Sequence, residues 1–196
     1  MKKILVTSLS AAVLATGLFA GTAAHAEDYT IDTKGMHAFI QFRIQHLGYS
    51  WLYGRFDKFA GDFSYDEKKP EAAKVAVTID TSSVNSNQAE RDKHISSDAF
   101  LDVKKFPEAK FVSTKYTPGA KGEGKLEGEF TLHGVTKPLT IDVQEIGAGK
   151  DPWGGFRRGF QGSTKFALAD YGIDYDLGPA SKEVEMILSI EGVQKK

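Results

Sequence analysis

Apolar residues return at every second position through most of this 196-residue chain. A two-residue period belongs to strands with one oily face and one wet face. The alternation is clearest in Ala38, Ile40, Phe42 and Ile44, which Gln41, Arg43 and Gln45 separate. It recurs in Leu126, Phe130 and Leu132 between Lys125, Glu127 and Glu129, and in Val75, Val77 and Ile79. Leu139, Ile141 and Val143 repeat it, as do Phe160, Gly162, Thr164, Phe166 and Leu168, and finally Val184, Met186, Leu188 and Ile190. With residues 51–65 and 110–116 the total is eight strands. The apolar parity of 51–65 changes between Phe56 and Phe59, which predicts a bulge or bend near Asp57 and Lys58.

Pro118-Gly119, His133-Gly134, the stretch from Gly147 to Gly154 and Gly178-Pro179 supply reversals between consecutive strands. Residues 86–105 break the rhythm: they are charged and tolerate helix, Ser96 or Ser97 can cap a second short turn, and Pro107 ends the stretch. One or two short helices covering a barrel end are expected there. Strands in sequence order with short connections close into an eight-stranded antiparallel up-and-down barrel, an all-β fold without exposed edges.

Lys2 and Lys3, the interrupted apolar stretch from Ile4 to Phe19 and the small-x-small sequence Ala24-His25-Ala26 form an export signal, with cleavage expected after Ala26. The stretch is short for a membrane span, and no later segment approaches that length, so no stable membrane anchor is expected. The protein contains no cysteine, which excludes disulfides and a lipid-modified N-terminal Cys. Residues 27–196 then form one domain. Loss of Lys2 and Lys3 leaves 23 of 25 basic residues against 26 acidic ones, a net charge of −3. These charges are interspersed rather than clustered, which argues against nucleic acid as a partner.

A barrel of eight strands is either filled by its own side chains or wide enough for one ligand. The inward set is apolar but includes Ala38, Gly128, Gly162 and Thr164 beside bulky Phe and Leu positions. Those small residues either leave volume or make room for rings across the barrel, and the pattern leaves both readings open. The candidate ligand-binding residues are Ala38, Ile40, Phe42, Ile44 and His46 on one strand, and Gly128, Phe130 and Leu132 on another. Phe160, Gly162 and Phe166, with Met186 and Leu188, complete the set. His46 falls on the apolar side of its strand, where it could meet a ligand head group or a backbone carbonyl.

Signals for catalysis are weak, and no catalytic residue, metal site or cofactor is expected. Arg91, Asp92 and His94 resemble an acid-base cluster, yet only Arg91 and His94 share a helix face. No histidine pair has local metal-ligand spacing, and Ser82 and Ser83 lack the glycines of a nucleophile elbow. Asp151-Pro152-Trp153-Gly154-Gly155 reads as a rigid turn that either folds Trp153 over a barrel end or gates a mouth, with Arg157 free to stack on Trp153 or pair with the helical insert.

The ordered motifs HAFIQFRIQHLGYSWLYGRF, ERDKH with FPEAKF after it, LHGVTKP, DPWGGFRRGF and the closing EGV together resemble the YceI-like polyisoprenoid-binding family over essentially the whole chain past residue 26. That resemblance implies a lipocalin-like barrel in the periplasm, with an isoprenoid-type lipid such as a quinone or polyprenyl chain held inside. Many members carry a basic residue where this chain has Leu168, so no role for such a charge is carried over. The expected function is a binding or carrier protein, with an enzyme acting on the lipid or its head group through His46 with Arg91 or Asp92 as the alternative. The oligomeric state is open, a homodimer included.

Overall fold

The computed structural model describes residues 26–196, so the export segment expected over 1–26 lies outside the described residues except for Ala26. Eleven strands belong to one sheet. In chain order these are β1 (Glu27–Ile31), β2 (Phe39–His46), β3 (Ser50–Phe56), β4 (Phe59–Tyr65), β5 (Lys74–Asp80) and β6 (Val84–Asn85). After the helix α1 (Ala89–Ile95) come β7 (Glu108–Pro118), β8 (Glu123–Leu132), β9 (Val135–Lys150), β10 (Phe156–Ala167) and β11 (Glu183–Gln194).

These make the expected closed eight-stranded antiparallel barrel, because three of its staves are interrupted. The first is β1 with β2: both pair with β11 on one side, and with β4 and β3 respectively on the other. The second is β3 with β4, broken at Asp57 and Lys58 where the apolar parity slips. The third is β5 with β6, which pair with β4 and β3. The second and third breaks satisfy each other: Asp57 N–H donates to the Ser83 carbonyl at 3.0 Å, and Asp80 N–H to that of Lys58 at 3.0 Å. These bonds supply partners for backbone groups that the bend takes out of the ladder.

Two details depart from the sequence expectation, and the helical insert follows it. β1 is an additional strand, too short at five residues to stand out by period. Gly147 and Gly149 lie inside β9 instead of in a reversal, which falls at residues 151–155, and the register of β9 on β10 shifts beside them, between Gly159 and Phe160. The insert holds one helix, with Ser96 at its C-cap and hydrogen-bonded turns after it.

The end of the barrel remote from α1 is fastened by ions. The Arg157 guanidinium donates to Asp32 Oδ2 at 2.6 Å, Glu191 Oε1 at 2.5 Å and Asp151 Oδ2 at 2.9 Å, and lies 5.3 Å from the Trp153 ring. Asp151 also accepts from the Trp153 and Gly155 N–H groups, closing the turn. Arg157 therefore does stack on Trp153, but its carboxylate partners are on strands and turns and not on the helical insert. Trp153 does not fold over the barrel end; it is 76% exposed.

Burial would raise the Asp32 pKa, but hydrogen bonds from His37, Arg157 and the Gly35 N–H outweigh it and hold the carboxyl at about 2. A folded-state pKa below the unfolded value means stability that is present above about pH 4 and lost as pH falls toward 2. The size is on the order of 2 kcal/mol. Asp32→Asn should therefore flatten the acid side of the stability profile between about pH 4 and pH 2, read by urea unfolding at each pH. An unchanged slope there would show that Asp32 titrates as in the unfolded chain.

Candidate ligand-binding interior

Inward-facing Val143, Leu139, Leu188 and Ile190 are only half-buried although they belong to the barrel wall. The reason is unfilled space between the staves. The interior holds two cavities, an outer one of about 550 Å³ and a deep one of about 130 Å³. Ile79, Phe130 and Met186 line both and so stand between them.

Among the candidates from the sequence, Ile40, Phe160, Gly162 and Leu188 line the deep cavity. Phe42, Ile44, His46, Leu132 and Phe166 line the outer one, while Phe130 and Met186 face both. Ala38 and Gly128 line neither. Ala38 packs in a separate cluster with Tyr29, Ile31 and Phe63 at the ion-fastened end. Gly128 is covered by Phe111: a Cβ there would lie 2.5 Å from Phe111 Cζ and 2.5 Å from the Val112 carbonyl oxygen. Sequence reasoning missed Ile95, Phe100, Leu101 and Leu177, which the insert and the loop before β11 contribute to the outer cavity. They carry no period-two signal because they are not on strands.

Polar groups gather at the outer mouth. His46 is exposed, and its imidazole makes no hydrogen bond among the described residues. The ring of His94 lies edge-on to Phe100 and Tyr175, with centroids 5.0 and 5.2 Å away. The mouth is also tied at the backbone, where Ser181 Oγ donates to the Gln45 carbonyl at 2.5 Å. Arg91 and Asp92 are not a free acid-base pair. Asp92 Oδ1 accepts from the Ser86 N–H at 2.7 Å and from its hydroxyl at 2.5 Å, while Arg91 Nε donates to the same hydroxyl at 2.7 Å. They clamp the buried Ser86 and so fix α1 over the barrel end.

At the opposite, deep end the lining turns aromatic with Tyr65 and Tyr116. Burial, with the nearby Glu145 charge, raises both phenol pKa values, so both stay neutral. Behind Tyr65 the guanidinium of Arg158 lies 4.6 Å from the ring centroid. It donates to Glu145, to Glu67 at 2.5 Å and to the Tyr29 hydroxyl at 3.5 Å. Burial opposes its charge, yet these partners hold its pKa above the ordinary arginine value. The DPWGG turn lies at this same end, so it does not gate the outer mouth.

Among the described residues one group has the ligand types for a metal: Asp32, His37 and Glu191 bring ligand atoms within 4.8 Å of one another. Arg157 bridges Asp32 and Glu191, placing a fixed positive charge where a cation would bind. No helix among the described residues is long and apolar enough to cross a membrane.

Comparison with known proteins places these features in a group. The model of the YceI-like domain family matches residues 29–192. A UPF0312 protein of Shewanella sp. (strain ANA-3) is 56% identical over 187 residues, covering 95% of this chain and 98% of the relative. Another from Pseudomonas aeruginosa (strain LESB58) is 56% identical over 189 residues, with 96% and 98% covered. Among solved structures, a Campylobacter jejuni YCEI protein superposes with a TM-score of 0.71 at 28% identity, covering 78% of this chain and 91% of that one. A polyisoprenoid binding domain from Saccharophagus degradans shares the fold, with a TM-score of 0.63 at 16% identity over 87% of this chain and 100% of that domain.

Proposed function

This chain belongs to the YceI-like domain family, and from that premise we propose that it binds an isoprenoid-type lipid inside its barrel. The observation that carries the reading is the pair of largely apolar cavities that adjoin at Ile79, Phe130 and Met186. Such an interior suits a long hydrocarbon, since burial contributes ~0.8 kcal/mol per methylene and needs few polar contacts. The fold shared with a polyisoprenoid binding domain supports the same ligand class. In this reading Ile40, Phe42, Ile44, Phe160 and Leu188 contact the chain, and His46 and His94 lie near its polar end. The protein is exported to the periplasm with residues 1–26 removed, and it carries or stores the lipid without chemistry of its own.

Organic extraction of freshly purified protein followed by mass spectrometry tests this, and a prenyl lipid is the expected result. His46→Ala and His94→Ala should each retain it, with at most a few-fold weaker affinity, because one polar contact contributes only ~0.5–1.5 kcal/mol. Complete loss from a folded single variant, or turnover of the bound lipid, would favour the enzyme reading instead. Absence of prenyl lipid from the extract and failure to take up an added polyprenol would overturn the proposal.

A further inference from the structure

The deep cavity lies toward the end of the barrel opposite α1. Its lining contains Tyr65 and Tyr116, and behind Tyr65 the guanidinium of Arg158 is held by Glu145, Glu67 and Tyr29. A hydrocarbon cannot displace a buried, neutralised arginine, because the charge would lose its partners without gaining water. Nor can a polar head group settle there. The side chains bounding the cavity are overwhelmingly aliphatic and aromatic, and a polar group buried among them without a partner would lose its hydration uncompensated. A ligand that reaches this space must therefore arrive tail first, past Ile79, Phe130 and Met186.

The boundary between the cavities has one fixed side and one adaptable side. Phe130 is wedged against Phe166 and Tyr171, with ring centroids 5.5 Å away in both cases. Met186 is unbranched and reshapes readily to passing hydrocarbon. In volume the space beyond, about 130 Å³, is small beside the outer 550 Å³. A short chain is accommodated in the outer cavity alone. A longer one gains the inner surfaces, and any surplus length must stay at the mouth.

We propose that the deep cavity is a chain-end subsite that selects prenyl lipids by length, with Ile79, Phe130 and Met186 as its entrance and the Arg158 cluster as its floor. This rests on the reading of the barrel as a prenyl-lipid binder. Affinity should step up once a chain is long enough to pass this entrance and level off once its end meets the floor.

The test is a ladder of all-trans prenols from geranylgeraniol to solanesol, bound to the wild-type protein and to two variants that fill the deep cavity. Gly162→Leu is the first, where a Cβ meets Ile141 Cγ2 at 3.1 Å and the rest of the side chain enters the cavity. Leu188→Phe is the second, enlarging a residue that lines the deep cavity. The wild type should bind the long prenol at least about ten-fold more tightly than geranylgeraniol, since each added buried methylene strengthens binding. In either variant the preference for length should be lost, the long prenol binding no more tightly than geranylgeraniol does to the same variant. Equal affinity for all lengths in the wild type would overturn the proposal, as would a folded variant that keeps the full long-chain preference. Should both variants unfold, the wild-type ladder decides alone: a step followed by a plateau supports the subsite, and a flat or steadily rising profile overturns it. Failure of the underlying lipid-binding reading looks different, because then no prenol of any length binds.

Discussion

Replacing Arg158 with Met should lower the unfolding free energy by about 3 kcal/mol, the range for removing one member of a buried charge pair. The melting temperature should fall by roughly 10 °C for a chain of this size. Arg158 is 2% exposed, and three of its neighbours depend on it: Glu145 and the Tyr29 hydroxyl for hydrogen bonds, and Tyr65 for the cation against its ring. Met fills the volume but leaves Glu145 beside apolar surface with no counter-charge. Glu67→Gln is the control. Its side chain is 70% exposed, and removing an ion-pair partner that solvent already reaches costs about 1 kcal/mol or less. Urea unfolding of both variants measures the difference. A loss below about 1 kcal/mol for Arg158→Met would mean that water solvates Glu145, whose side chain is 23% exposed, well enough to replace the guanidinium.

The barrel is legible in the sequence because its walls obey a two-residue period over long stretches. β8, β10 and β11 show it most fully, and their partners follow in sequence order. Legibility fails at the breaks. β1 contributes only Tyr29 and Ile31 to the inside, and two residues do not make a period. What makes β1 a strand is its pairing with both β4 and β11, which no local pattern records. At Asp57 and Lys58 the lost parity does mark the bend. The continuation of the third stave into β6, through the turn at residues 81–83, is tertiary and leaves no such trace.

For the interior, parity tells which residues point inward and not how far their neighbours reach. Phe42 and Ile44 on β2 do line the outer cavity, since a residue's face is local. Whether space remains above an inward glycine is not local. Rings lie across several of these glycines: Phe42 over Gly54, Tyr116 over Gly124, Phe63 over Gly192 and Phe111 over Gly128. The two readings of small inward residues therefore both hold, each at different positions. Gly128 accommodates a ring, whereas Gly162 borders open volume.

That distinction makes Gly128→Leu and Gly162→Leu unequal in effect although both put the same side chain on the same inner surface. At Gly128 even the first carbon would stand 2.5 Å from the Val112 carbonyl oxygen as well as from Phe111 Cζ. The ring could turn aside, but the oxygen belongs to β7, and moving it means moving a strand paired with both β5 and β8. Gly128→Leu should therefore lose about 3 kcal/mol, at the upper end for overpacking. At Gly162 the nearest atom is a side-chain methyl, Ile141 Cγ2 at 3.1 Å, and the cavity takes the remainder. Its loss should stay below about 1 kcal/mol. Adding Phe111→Leu to Gly128→Leu separates the two obstacles, since it removes the ring and leaves the oxygen. Partial recovery of stability in the double variant is the expected result, measured as the coupling in a double-mutant cycle. Full recovery would assign the whole penalty to the ring, and equal stability of the two glycine variants would mean that the space at Gly128 is as open as that at Gly162.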